Sequence, residues 1–170
     1  FNRYRWNMTE SGPWHEDENR SYKGGPFAAP GRYIIRLTLD GQVYEQSLEL
    51  LMDPRIEAYV SKEDIQKQVT IHRQIKNLLS EARMQLDKLE KEKETLLENK
   101  DKKDEDRDRL SKVDTNITQL KTKEGIYELP RLVDQISYLY NILGDSDQAP
   151  GQDVYERYEE LRLSLEGIKE

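Results

Sequence analysis

Between Ser61 and Lys123 the chain contains neither glycine nor proline. Over the first part of that stretch its apolar residues recur in alternating steps of three and four. Ile65, Ile75, Leu79, Ala82, Leu86, Leu89 and Leu96 form the stripe; His72 lies on it, and polar Gln68 and Lys93 interrupt it. This is the spacing of one buried face of an α-helix. Ser61-Lys62-Glu63-Asp64 has the form of a capping box, which sets the helix start. The pattern predicts a helix over 61–99, roughly 58 Å long at about 1.5 Å per residue. Pairs such as Glu63–Lys67 and Asp87–Lys91 support its exposed faces.

The remaining segments have to pack along that rod. Residues 99–108 are almost wholly charged and read as the reversal. Leu110, Val113, Ile117 and Leu120 give a second stripe, and Leu132, Val133, Ile136, Leu139, Tyr140 and Leu143 a third. Val154, Tyr158, Leu161, Leu165 and Ile168 give the last. Helices over about 108–123, 130–143 and 152–168 follow, with Gly144 as a stop and residues 145–151 as a turn. The second and third together match the first in length, which predicts an antiparallel bundle with a broken middle helix.

Before Ser61 the period changes to two. Tyr33, Ile35, Leu37 and Leu39 alternate with Arg32, Ile34, Arg36 and Thr38, the pattern of a half-buried strand. Asp40-Gly41 suits a two-residue hairpin turn, because both positions tolerate positive φ. The return strand carries Tyr44, Gln46, Leu48, Leu50 and Met52 on one face. With that turn, Leu37 faces Tyr44 and Tyr33 faces Leu48, so the apolar faces coincide. Tyr4, Trp6 and Met8 alternate in the same way and suggest a third strand over 3–8. Residues 10–31 are rich in Gly, Pro, Ser, Asn and acids, and read as a long loop. Three strands make no sandwich alone. Either the helices cover this sheet or further strands lie upstream of Phe1.

Composition removes several function classes. The chain has 170 residues, a net charge of -7, 36% charged and 35% hydrophobic residues, and no cysteine. The modest apolar fraction argues against a large buried parallel sheet. Without cysteine there are no disulfides, thiolate zinc sites, iron–sulfur clusters or cysteine nucleophiles. The acidic balance argues against nucleic acid as a partner, and no run approaches the roughly 20 apolar residues of a membrane span. The chain opens Phe1-Asn2-Arg3 without a methionine, which points to a mature product or an excised fragment.

No catalytic, cofactor or metal residues emerge. His72 sits at a core-type position and has Lys76, not a second ligand, one turn on. Counted from Asp101, the sixth and twelfth positions of a calcium loop would be Asp106 and Lys112 instead of Gly and Glu. Asp145 and Asp147 are ordinary turn residues. No carboxylate pair is singled out for glycoside hydrolysis, the serines lack a nucleophile elbow, and Gly24-Gly25 is no phosphate loop. Asn7-Met8-Thr9 and Asn116-Ile117-Thr118 fit the glycosylation pattern. Phe1, Trp6, Trp14 and Phe27 are all the Phe and Trp of the chain. Trp6 is expected in a small β core. Trp14, Tyr22 and Phe27 are the candidate ligand contacts, since exposed rings near a loop stack on sugar faces.

Gly25-Pro26, Ala29-Pro30-Gly31-Arg32-Tyr33, the run from Leu37 to Gly41, and Asp53-Pro54-Arg55 resemble the pattern near the C-terminus of bacterial secreted BNR-repeat, sortilin-like β-propeller proteins, often labelled glycosyl hydrolases. Leu129-Pro130-Arg131-Leu132-Val133-Asp134-Gln135, Tyr138-Leu139-Tyr140 and Asp147-Gln148-Ala149-Pro150 resemble that family's helical tail, and Gly151 stands where its turn has Thr. The resemblance implies an α+β chain: a partial immunoglobulin- or fibronectin-like antiparallel β module over 1–55, then an antiparallel helical bundle with one long helix over 56–170. It also implies an extracytoplasmic setting and, as partner, an upstream β-propeller domain of the same polypeptide. It carries over no catalysis, because the propeller's Asp boxes (Ser-x-Asp-x-Gly-x-Thr-Trp) are absent. The expected role is a noncatalytic C-terminal structural or protein-interaction module, with a protein partner on the helices. The alternative is a carbohydrate-binding accessory module using the exposed aromatics.

Overall fold

A computed structural model describes residues 3–99, 104–145 and 147–169. The chain is α+β: strands β1 (Gly31–Leu39) and β2 (Gln42–Leu50), then helices α1 (Lys62–Glu98), α2 (Asp104–Leu120), α3 (Leu132–Leu143) and α4 (Gln152–Lys169). α1 begins where its cap dictates. The Ser61 hydroxyl accepts from the Asp64 amide at 3.1 Å, and the Asp64 carboxylate accepts from the Ser61 amide at 3.2 Å. These satisfy backbone donors that a helix start otherwise leaves unpaired. Residues 100–103, part of the expected reversal and of the rejected calcium loop, lie outside the described residues.

α2 and α3 both return antiparallel to α1. Lys93 pairs with Asp114 and, lower down, Glu90 with Lys121; then Arg83 reaches Ser137 and Gln68 reaches the Leu143 carbonyl. α4 runs back along α3, where Arg157 bonds Gln135. Ile75, Leu79, Leu120, Ile136, Leu161 and Leu165 meet in one fully buried core. Gly144 stops α3 as expected, in a right-handed geometry with φ -85°. Close approach explains the glycine: a Cβ there would lie 3.2 Å from the His72 ring.

The N-terminal part departs from expectation in two ways. Residues 3–8 form no strand, and Met8 has φ 61°. They pair with neither edge of the hairpin, and an unpaired strand has no ladder to hold it. Residues 8–12 instead bond back to 22–28: Ala28 donates to the Met8 carbonyl, Glu10 to Pro26 and Gly12 to Tyr22, each at 2.8 Å. The second departure is that the long loop is ordered and docked on the bundle. Trp14 N–H donates to the Ser80 hydroxyl at 3.0 Å, Tyr140 O–H donates to the Gly24 carbonyl at 2.6 Å, and Glu10 pairs with Arg73. Gly12 and Gly25 are required for this closure, since a Cβ on either would collide with the opposing backbone.

Candidate functional site

β1 and β2 form a two-stranded antiparallel sheet with the expected register, Leu37 opposite Tyr44 and Tyr33 opposite Leu48. Asp40 and Gly41 take φ 49° and 79° at the turn, the positive values that match the twist of the flanking strands. The two faces differ in chemistry. One carries Arg32 opposite Glu49, Ile34 opposite Ser47, and the ion pair Arg36–Glu45 at 2.7 Å. The other carries Tyr33, Ile35, Leu37 and Leu39 with Tyr44, Leu48 and Leu50.

That alternation is the mark of a strand pair with one buried face, yet here the apolar face lies open. Ile35 is 55%, Leu37 59% and Tyr44 52% exposed. The helices do not reach it. Only at its base does it find cover, where the Trp6 ring lies 5.6 Å from that of Tyr33 and the Tyr33 hydroxyl donates to the Ala29 carbonyl. The tip projects without a layer above it, and both outer edges of the sheet are unpaired among the described residues.

The sequence-predicted ligand contacts are not brought together. Trp14 is half-buried, fixed by Ser80 and by Arg83, which donates to its carbonyl at 3.1 Å. It lines a cleft of about 320 Å³ that also holds Asp87, Lys121 and Asp134. Phe27 is exposed at a different cleft of about 340 Å³, walled by Leu50, Met52, Ile65 and His72. Tyr22 is exposed and lines neither, its φ of 59° serving the loop closure. Trp6 is half-buried against the hairpin.

His72 is a core residue, stacked 4.4 Å from Tyr140 and hydrogen-bonded to the Tyr140 main chain. Burial lowers its pKa, and its Nε2 is buried without a partner. The same burial pushes the Tyr140 phenol up to about 12. At the hairpin exit, hydrogen bonds from Arg55 hold the exposed Asp53 carboxyl down to about 2. This pair is a local clamp on the chain's turn into α1. Among the described residues no group of three or more His, Asp or Glu is placed to hold a metal ion, and no helix is long and apolar enough to cross a membrane.

Sequence reasoning placed the apolar residues of the hairpin correctly but read them as half-buried. It passed over Arg83, whose role depends on a loop distant in sequence; a cation beside the core-facing Ala82 is the one signal that could have flagged it. Comparison with protein-family models, with curated proteins and with solved structures finds no significant match to this chain.

Proposed function

We propose that this chain is a noncatalytic structural or protein-interaction module, the C-terminal part of a larger secreted propeller-type protein, and that it docks through the apolar face of the hairpin. The observation that carries this is the open row Ile35, Leu37, Leu39 and Tyr44, all more than half exposed. The largest contiguous apolar patch on a monomeric protein, typically about 300–600 Å², is often a functional surface. The polar, ion-paired opposite face gives the hairpin a defined outside.

Size favours an occupant from the same polypeptide. Nine-residue strands make a face about 30 Å long and about 10 Å wide, on the order of 300 Å². A stable complex between separate chains buries about 800 Å² per partner, so a hairpin-on-hairpin dimer falls short. A tethered domain does not need that area, because the linker raises its local concentration to about the millimolar range. The occupant is therefore an apolar-faced β-sheet of an adjoining domain, packed face to face about 10 Å above the hairpin. The helices act as a rigid spacer.

Hydrogen–deuterium exchange on the protein as its gene encodes it, and on the 170-residue chain, tests this. The expected result is slow exchange of the β1 and β2 amides in the longer protein only, lost with Ile35→Glu. Equal exchange in both proteins refutes the docking.

A further inference from the structure

A second feature involves the docked loop, α1 and α3 and uses no residue of the hairpin. Most cations of the bundle are neutralised locally: Lys91 by Asp87, Lys93 by Asp114, Arg109 by Glu92, Arg162 by Glu159. In a chain of net charge -7 that is the expected condition. Arg20, Lys23 and Arg83 are exceptions; among the described residues none of them pairs with a carboxylate. They line one cleft of about 400 Å³ between the docked loop, α1 and α3. Its other walls include Ser137, Asn19 and Asn141, and no carboxylate residue is among them.

Loop closure brings Arg20 and Lys23 to the cleft that Arg83 lines. Gly12 and Gly25 let its two arms touch, Trp14 and Gly24 anchor it to Ser80 and Tyr140, and Arg20 and Lys23 are thereby carried over α1. Arg83 rises from α1 to meet them. It is half-buried and held in place by the Trp14 carbonyl at 3.1 Å and the Ser137 hydroxyl at 3.3 Å. Both hydrogen-bond partners are neutral; Asp134, which lines the neighbouring cleft of about 320 Å³ with Arg83 and Arg20, attracts it without bonding it. Burial lowers its pKa first, and repulsion from Arg20 outweighs the opposing pull of Asp134. The Asp134 carboxylate accepts from the Thr122 hydroxyl. A fixed, partly desolvated guanidinium repelled by Arg20 is stabilised when an anion joins it. Charge-assisted hydrogen bonds from Arg to a carboxylate, sulfate or phosphate are among the strong ones.

We infer that the cleft bounded by Arg20, Lys23 and Arg83 binds the oxyanion group of a small hydroxylated acid. The volume falls in the range of small-molecule pockets, about 300–1,000 Å³. The hydroxyl of Ser137 and the amides of Asn19 and Asn141 suit sugar-like hydroxyls beside the anion. Arg83 fixes the oxyanion, while Arg20 and Lys23 close over it from the loop.

The test is an NMR titration of the 170-residue chain with sodium phosphate, sodium sulfate and sodium glucuronate, with sodium chloride as control at equal ionic strength. The expected result is saturable shifts at Asn19, Arg20, Ser137 and Asn141, and at the Arg83 side-chain Nε–H, with at least one oxyanion. Glucuronate saturating first identifies a carboxylate ligand; phosphate or sulfate saturating first identifies a tetrahedral one. Arg20→Gln and Lys23→Gln, exposed loop substitutions that leave the Trp14 anchor intact, each weaken binding by about tenfold. Arg83→Gln abolishes it. Shifts that follow chloride without saturating, or an affinity unchanged in the Arg20→Gln/Lys23→Gln double variant, overturn the site.

Discussion

Two isoleucines of the same chain differ in their surroundings, and truncating each to alanine measures whether the hairpin face is open. Ile75 is fully buried at the centre of the bundle. Ile75→Ala removes carbon atoms carrying about 2.4 kcal/mol of transfer free energy, at about 0.8 kcal/mol per methylene. The cavity left between α1 and α3 adds about 1 kcal/mol, for a total near 3.5 kcal/mol. In a domain of this size, that lowers Tm by about 7–14 °C. Ile35 is 55% exposed, so less than half of its transfer term is at stake and no closed cavity forms. The hairpin can also open without unfolding the bundle. Ile35→Ala should therefore cost under about 1 kcal/mol in this chain. Urea and thermal unfolding followed by far-ultraviolet circular dichroism at several protein concentrations gives both values. A cost above about 2 kcal/mol for Ile35→Ala would mean that the face is already covered, by the chain itself or by a second copy, and the docking proposal would fall.

Acid should destabilise the bundle through His72. Its folded pKa lies below the ordinary value near 6.5, so the unfolded chain binds the proton first. The stabilisation is present above about pH 6.5 and declines as pH falls toward the folded value, with a slope of at most about 1.4 kcal/mol per pH unit. Urea midpoints between pH 5 and 7.5 should show this decline, and His72→Leu should flatten it; an unchanged slope in the variant refutes the assignment. Gly12→Ala should open the loop, because its Cβ would meet the Lys23 carbonyl, whereas Gly31→Ala meets nothing within 4 Å. Fast exchange of the Gly12→Ala variant's Tyr22 amide beside an unchanged Gly31→Ala protein is the expected pattern. Both variants behaving alike would refute the close approach.

Local patterns were readable in the sequence because they depend on neighbours a few residues apart. The three-and-four spacing from Ile65 to Leu96 and the Ser61 box fix α1, and Asp40-Gly41 with alternating residues fixes the hairpin and its register. The α+β order follows from those alone. The failures involve partners distant in the chain. Alternation at residues 3–8 predicted a strand, but strand formation needs a partner edge and these residues pair with none among the described residues. Composition at residues 10–31 indicated a loop, while its docking depends on Ser80, Arg83 and Tyr140, more than 60 residues downstream. Gly144 stops α3 as its sequence position predicted, while its approach to the His72 ring was visible only in the fold.

The sequence by itself determined the order of the hairpin and the four helices and which residues of each are apolar, because period and capping are properties of a single segment. Burial is a property of pairs of segments, so only the tertiary structure could separate Ile75, enclosed by α3 and α4, from Ile35, which faces nothing. The same holds for charge. Arg83 is one cation among 27 in the sequence, and only the folded loop reveals it as half-buried, held by neutral groups and flanked by Arg20.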